Sequence, residues 1–131
     1  WKEAGVWNRV KADCLERESR GIYELKTCAG LAEPEGWVRT GMSLGIDLRA
    51  AMYLAGAKAV FGGEWSYRYV PVEKTPPHCL SVLELSEGIL SIGEAKFRRA
   101  QEIWKLCLSR KKWPGYSDQI AVVEPPAFWI E

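Results

Sequence analysis

The stretch Lys11-Ala12-Asp13-Cys14-Leu15-Glu16-Arg17-Glu18-Ser19-Arg20-Gly21-Ile22-Tyr23-Glu24-Leu25-Lys26-Thr27 decides the fold. From Val6 to Leu15, apolar Val6, Val10, Ala12 and Cys14 are interleaved with polar residues, the period-two pattern of a half-buried strand. Glu16 to Gly21 is polar and turn-like, Ile22 to Thr27 returns as a second strand, and Cys28-Ala29-Gly30 closes it. The unit is a hairpin. A turn centred on Glu18-Ser19 sets Asp13 opposite Glu24 and Lys11 opposite Lys26. Directly opposed residues of an antiparallel pair share a face. One face therefore carries two carboxylates and two lysines, while Ala12, Cys14, Tyr23 and Leu25 point the other way.

Two readings of that face stand side by side. Asp13, Glu24, Lys11 and Lys26 form a cross-strand ladder of ion pairs on a solvated surface, or they form a metal site. Two opposed carboxylates repel unless something compensates them, and a divalent cation does so naturally. Mg²⁺ takes carboxylate oxygens, keeps several waters and accepts substrate phosphate as a further ligand. In Glu24-Leu25-Lys26 the alternation of a strand puts the Lys26 ammonium beside the same cation. There it orients or helps deprotonate a water and stabilises developing phosphorane charge. The backbone carbonyl of Leu25 is an extra candidate ligand.

Beyond the hairpin, Leu31 to Arg39 reads as a connection punctuated by Pro34 and Gly36. Leu44, Leu48, Ala51, Met52 and Ala55 then recur at helical spacing, predicting a helix from about Met42 to Ala57. Gly62-Gly63 breaks the chain, Tyr67 to Glu73 reads as a strand, Thr75-Pro76-Pro77 as a turn and Leu80 to Leu85 as a short β run. Ser86 is the N-cap of a long helix to about Arg110, with Ile89, Phe97, Ala100, Trp104 and Cys107 on its buried side. Trp113-Pro114-Gly115-Tyr116 ends it, and Ile120 to Val123 is a last short strand. The order β-β-α-β-β-α predicts an α/β fold with a mixed central sheet flanked by helices.

Composition sets the outer bounds. The 131 residues suffice for one domain with a core, and near-balanced charge (18 basic, 17 acidic, net +1) offers no global basic field to attract nucleic acid. Binding to DNA must then use a local groove. No apolar run approaches the roughly 20 residues that span a bilayer, and no signal peptide is present, so no membrane partner is expected. Cys14, Cys28, Cys79 and Cys107 lack metal-ligand spacing and read as buried or half-buried reduced thiols of a cytoplasmic protein. A zinc site of His78 and Cys79 with Cys14 or Cys28 has no spacing behind it. The chain opens at Trp1, without Met, in sequence that already reads as structured, so it is expected to be part of something longer.

Asp13 and Tyr23-Glu24-Leu25-Lys26-Thr27 resemble the PD-(D/E)XK nuclease motif, and in particular phage and prophage exonucleases of the exodeoxyribonuclease VIII (RecE) type. The resemblance extends to Gly45-Ile46-Asp47-Leu48-Arg49-Ala50-Ala51-Met52-Tyr53, similar to that family's helix after the motif, which carries a Gln and a Tyr. It continues through Val70-Pro71-Val72-Glu73-Lys74 with Pro76-Pro77, then Gly93, Trp104, Trp113-Pro114-Gly115-Tyr116, Pro126 and Trp129. It implies a restriction-endonuclease-like fold over residues 1–131 as a single nuclease domain lacking its N-terminal helix. Asp13, Glu24 and Lys26 are the implied catalytic residues, with Asp13, Glu24 and the Leu25 carbonyl holding Mg²⁺ or, as a substitute, Mn²⁺. Arg49 and Tyr53, one helical turn apart on one face, are the implied substrate-binding pair. Arg49 stands where the family has Gln, which leaves it either a phosphate ligand or a structural cation. The further acidic or His ligand that the family supplies upstream has only Glu3 as a weak counterpart.

The resemblance further implies exonucleolytic hydrolysis of linear double-stranded DNA in phage-type recombination, in the cytoplasm of a bacterial cell or phage-infected host. It also implies a single-strand annealing recombinase as partner, and a homo-oligomer. The rival reading is a catalytically incomplete DNA-binding or assembly module of the same fold. Lys96, Arg98, Arg99, Lys105 and Arg110-Lys111-Lys112 give the long helix either a solvated basic face or a phosphate-tracking rim. Seven tryptophans read as core or interface anchors, Trp104 and Trp113 foremost, with Trp37 or Trp65 as candidates for stacking on an unpaired base. His78, the only histidine, reads as an exposed loop residue.

Overall fold

The structure, a computed structural model, describes residues 1–116 and 119–125. Strands β1 (Lys2–Glu3) and β2 (Val6–Trp7) make a small antiparallel hairpin. There follow β3 (Cys14–Glu16), β4 (Gly21–Cys28), helices α1 (Pro34–Ser43) and α2 (Ile46–Phe61), strands β5 (Ser66–Glu73) and β6 (Leu83–Glu84), and helix α3 (Glu87–Arg110). The main sheet has the order β3-β4-β5-β6. Strand β3 runs antiparallel to β4, β4 parallel to β5, and β5 antiparallel to β6. A parallel pair needs a crossover, and α1 with α2 supplies it. The mixed sheet flanked by helices is therefore as expected.

The hairpin register follows the turn chemistry. Cys14 pairs with Tyr23, Leu15 with Ile22 and Glu16 with Gly21, the alignment that a turn centred on Glu18-Ser19 imposes. Glu16 fixes the turn by accepting the backbone N–H groups of Glu18 and Ser19. The ladder stops at Cys14, however. The expected strand from Val6 to Leu15 is two short pieces, and Lys11 lies in the link between them, so no rung sets it against Lys26.

Even-numbered residues of β4 face the core. Ile22 meets Tyr67 and Tyr69 of β5, Leu83 and Leu85, and Ile46, Ala50 and Ala57 of α2 in one buried cluster. Trp37, Val38 and Met42 of α1 and Ile89 and Leu90 of α3 pack against it. Helix α3 crosses α2 so closely that a Cβ on Gly93 would lie 2.1 Å from the Asp47 carbonyl oxygen. The chain between α1 and α2 turns at Gly45 with φ of +73°, a conformation glycine adopts without steric penalty. Pro71 is buried in β5, yet it accepts only a bridging bond from Ser81 N–H between the Leu80 bridge and β6, where the ladder is already interrupted.

Several expectations are corrected. Pro34 opens a helix instead of punctuating a loop: Glu33 accepts the N–H groups of Glu35 and Gly36, and proline suits the first turn. The expected connection is thus largely helix α1, and the helix expected from about Met42 is α2, beginning at Ile46. Ile120 to Val123 form no strand and are exposed. Trp104 and Ala100 face outward on α3, where Gln101 is buried instead, and Trp104 stacks edge-on against the half-exposed Trp113 at 4.8 Å. Trp37 is half-buried and packs on Tyr69 at 5.1 Å beside the core. Cys14 and Cys79 are exposed, Cys28 is half-buried and only Cys107 is buried, all as free thiols. Pro126 and Trp129 lie outside the described residues.

Candidate metal and phosphate site

Glu24 sits in the middle of β4, opposite Tyr69 of the neighbouring parallel strand and only 3% exposed. A buried carboxylate requires compensation, and here it comes from two cations on one oxygen. Lys26 Nζ lies 2.6 Å and Arg49 Nη1 3.2 Å from Glu24 Oε1. The other oxygen, Oε2, is buried with no hydrogen-bond partner. The ladder of ion pairs on a solvated face is thereby excluded for Glu24: it shares the core face with Ile22. Lys11 contributes no ion pair among the described residues; its backbone carbonyl accepts the Tyr53 hydroxyl at 2.9 Å.

Asp13 is exposed, one residue before the first rung of β3. Its Oδ2 accepts the Leu25 N–H at 3.0 Å, which fixes the carboxylate beside β4 where the ladder has ended. In a strand the N–H and C=O of one residue point to the same side. The Leu25 carbonyl therefore points toward Asp13, whereas Arg20 and Cys28, of the other parity, bond Ser66 and Lys74 on the β5 side. The structure thus brings Asp13, Glu24, Lys26 and the Leu25 carbonyl to one edge of the sheet.

Helix α2 supplies the rest. Arg49 and Tyr53 lie one turn apart, and both reach the site: Arg49 to Glu24, Tyr53 to the segment leading into Asp13. The pairing of Arg49 with Glu24 has no local sequence signal, because the residues are 25 positions apart. Burial raises the Tyr53 hydroxyl above the ordinary tyrosine value, and the Glu24 charge adds to this, so it stays a hydrogen-bond donor. Tyr53, Tyr67 and Tyr69 stack edge-to-face with centroids 5.6 and 5.0 Å apart, and burial pushes Tyr69 up to about 12. Glu3 is elsewhere. It accepts the Trp1 indole N–H at 2.9 Å and lines a cleft of about 640 Å³ with Lys58, Glu64, Glu94 and Arg98, but none of Asp13, Glu24 or Lys26.

The donor set suits a hard divalent cation: two carboxylates, one with an orphaned oxygen, and a carbonyl, leaving other positions to water and phosphate. No group of three or more His, Cys, Asp or Glu side chains among the described residues gathers into a fuller cage. The zinc alternative is not assembled. His78 Nδ1 lies 3.1 Å from the Glu73 carbonyl in an exposed turn. No helix among the described residues is long and apolar enough to cross a membrane.

The comparisons with known proteins bear on the family and the fold. No curated protein matches the sequence. Among solved structures, the crystal structure of a candidate exonuclease from Eubacterium rectale superposes with a TM-score of 0.57 at 13% identity, over 84% of this chain. The chain spans just under half, 46%, of that protein, and a likeness at this identity speaks for the fold. The profile of a PDDEXK-like domain of unknown function (DUF3799) matches residues 1–126, and the chain belongs to that nuclease-type family.

Proposed function

We propose that this domain is a metal-dependent deoxyribonuclease that hydrolyses phosphodiester bonds at the Asp13–Glu24–Lys26 edge. One observation carries the reading: a buried glutamate, held by a lysine two residues on, keeps one oxygen without a partner next to a tethered aspartate. An orphaned oxygen alone does not mark a site, since Asp47 Oδ1 also lacks a partner; Glu24 differs in having the Asp13 carboxylate tethered at the neighbouring residue. Asp13 and Glu24, with the Leu25 carbonyl, would hold Mg²⁺, or Mn²⁺ in its place. Once bound, that ion supplies water activation at neutral pH and neutralises phosphate charge. Lys26, fixed by its bond to Glu24, positions the attacking water and donates to the charge that develops on the phosphorane oxygens. Tyr53 holds the backbone of Lys11 and so aims Asp13; Arg49 meets substrate phosphate.

The motif order along the chain supports the finer reading, an exonuclease of the exodeoxyribonuclease VIII type acting on linear duplex DNA in phage-type recombination. That reading brings a single-strand annealing recombinase as partner, a homo-oligomeric assembly and a cytoplasmic setting. Exposed Arg98, Arg99, Lys105, Arg110, Lys111 and Lys112 on α3 and its end supply charge for tracking phosphates. The second reading, a DNA-binding module without catalysis, draws on the two-carboxylate donor set and on the cation already paired with Glu24.

Incubating the chain with end-labelled linear duplex and Mg²⁺ separates the two. The nuclease reading expects shortening of the duplex that stops in Lys26→Ala while DNA retention persists. Retention without cutting by the wild-type chain, in Mg²⁺ and in Mn²⁺, would sink it in favour of the binding module.

A further inference from the structure

Arg49 and a divalent cation draw on the same carboxylate. Glu24 has both its bonded neighbours on Oε1, Lys26 at 2.6 Å and Arg49 at 3.2 Å, and it is almost fully buried. Lys26 reaches it from two residues along the same strand, and it is the shorter and less exposed contact. Arg49 is different. It comes from the first turn of another element, α2, and its side chain is 45% exposed, so the guanidinium can leave Glu24 without moving the helix. A guanidinium prefers the bidentate geometry of a phosphate to a single bond with one carboxylate oxygen. A divalent cation approaching Glu24, for its part, meets repulsion from a positive charge only a few ångströms away.

We propose that Arg49 is a substrate-operated guard of the metal site. Without DNA it neutralises Glu24 and weakens metal binding; a phosphate beside Asp13 draws it away and the carboxylate becomes available. Resting on the nuclease reading above, the proposal makes metal and DNA bind cooperatively, because each favours the state that the other needs. It also assigns a purpose to placing arginine in this position: with a neutral amide there, only phosphate coordinated to the metal would couple the two ligands. Arg49 then carries a specific thermodynamic signature, and that signature is readable without turnover.

Titration calorimetry with Mn²⁺ alone, on the wild-type chain, Arg49→Gln and Arg49→Lys, provides the test, repeated with a cleavage-resistant phosphorothioate duplex present. Circular dichroism melts establish that each variant is folded, and Arg49→Lys keeps the charge should Arg49→Gln lose stability. In the absence of DNA, Arg49→Gln should bind Mn²⁺ roughly tenfold tighter than wild type, with Arg49→Lys near wild type. The duplex should tighten Mn²⁺ binding by the wild-type chain several-fold more than by Arg49→Gln, in which phosphate coordination alone couples the two. Equal or weaker Mn²⁺ affinity in Arg49→Gln, or the same tightening by DNA in both chains, overturns the guard and leaves the nuclease reading standing. Absence of Mn²⁺ binding in every chain, with and without duplex, removes both.

Discussion

Lys96 Nζ of α3 lies 2.6 Å from Asp47 Oδ2 in the first turn of α2, and Asp47 has no exposed surface at all. Removing the lysine leaves a buried charge without its cation, the expensive way to break an ion pair. Because Lys96 itself is nearly half exposed, the loss falls below that of a fully buried pair. Lys96→Met should destabilise the fold by roughly 2–3 kcal/mol in urea titrations at neutral pH.

The same pair sets an acid limit. Burial pushes the Asp47 carboxyl up, but the Lys96 hydrogen bond and charge, with the Leu48 N–H, outweigh it and hold the group below its ordinary value. A depressed native value means that the stabilisation is complete above the unfolded-state value of about 3.9 and is lost as pH falls below it. The urea midpoint of wild type should therefore drop from about pH 5 to pH 3 by more than that of Asp47→Asn, measured side by side.

Gly93 is a separate test of the α2–α3 crossing. A methyl group there would sit within bonding range of the Asp47 carbonyl, so the helices must separate. Gly93→Ala should cost about 3 kcal/mol despite alanine's better helix propensity, seen as a lowered melting temperature. An unchanged melt would mean that the two helices do not approach so closely at Gly93.

Divalent cation should stabilise the domain through Asp13 and Glu24. At a hundredfold excess over Kd the gain is about 2.7 kcal/mol, which for a chain of this size raises Tm by roughly 8–15 °C. Differential scanning calorimetry should show the rise in wild type and its absence in Asp13→Asn.

Chemistry should depend on Lys26 more steeply than on Tyr53. Lys26→Ala removes the donor proposed to act on the phosphate and should lower kcat roughly 10²–10³-fold. Tyr53→Phe removes only the bond to the Lys11 carbonyl and should cost about tenfold. Both rates come from single-turnover cleavage of labelled duplex.

The hairpin was legible because its register is a local matter: Glu18-Ser19 fixes the turn, and Cys14 to Glu16 follow with Tyr23 to Gly21. The cap at Ser86 and the long α3 were equally local. Helix α1 was misread because Pro34 and Gly36 look like punctuation until Glu33 is recognised as a cap. The sequence pattern placed Trp104 inside because α3 is amphipathic only in part; its buried stripe runs through Gly93, Phe97, Gln101 and Cys107. At the site, residue types pointed to Asp13, Glu24 and Lys26, but burial of Glu24 and its hold on Arg49 arise from tertiary packing across 25 residues. No period or motif encodes such a pairing, and the Asp47–Lys96 pair, 49 residues apart, was missed for the same reason.

The bond from Leu25 N–H to Asp13 has a consequence for self-association. Strand β3 ends its ladder at Cys14, so beyond Tyr23 the strand β4 would present an open N–H to any passing extended segment. Asp13 fills that donor and sets a negative charge where an incoming carbonyl would dock. The carboxylate proposed to hold the metal thus doubles as a stopper on a sheet edge. Asp13→Ala unplugs the edge along with the chemistry and invites strand-to-strand aggregation, whereas Asp13→Asn keeps an acceptor in place and silences the site without opening the edge.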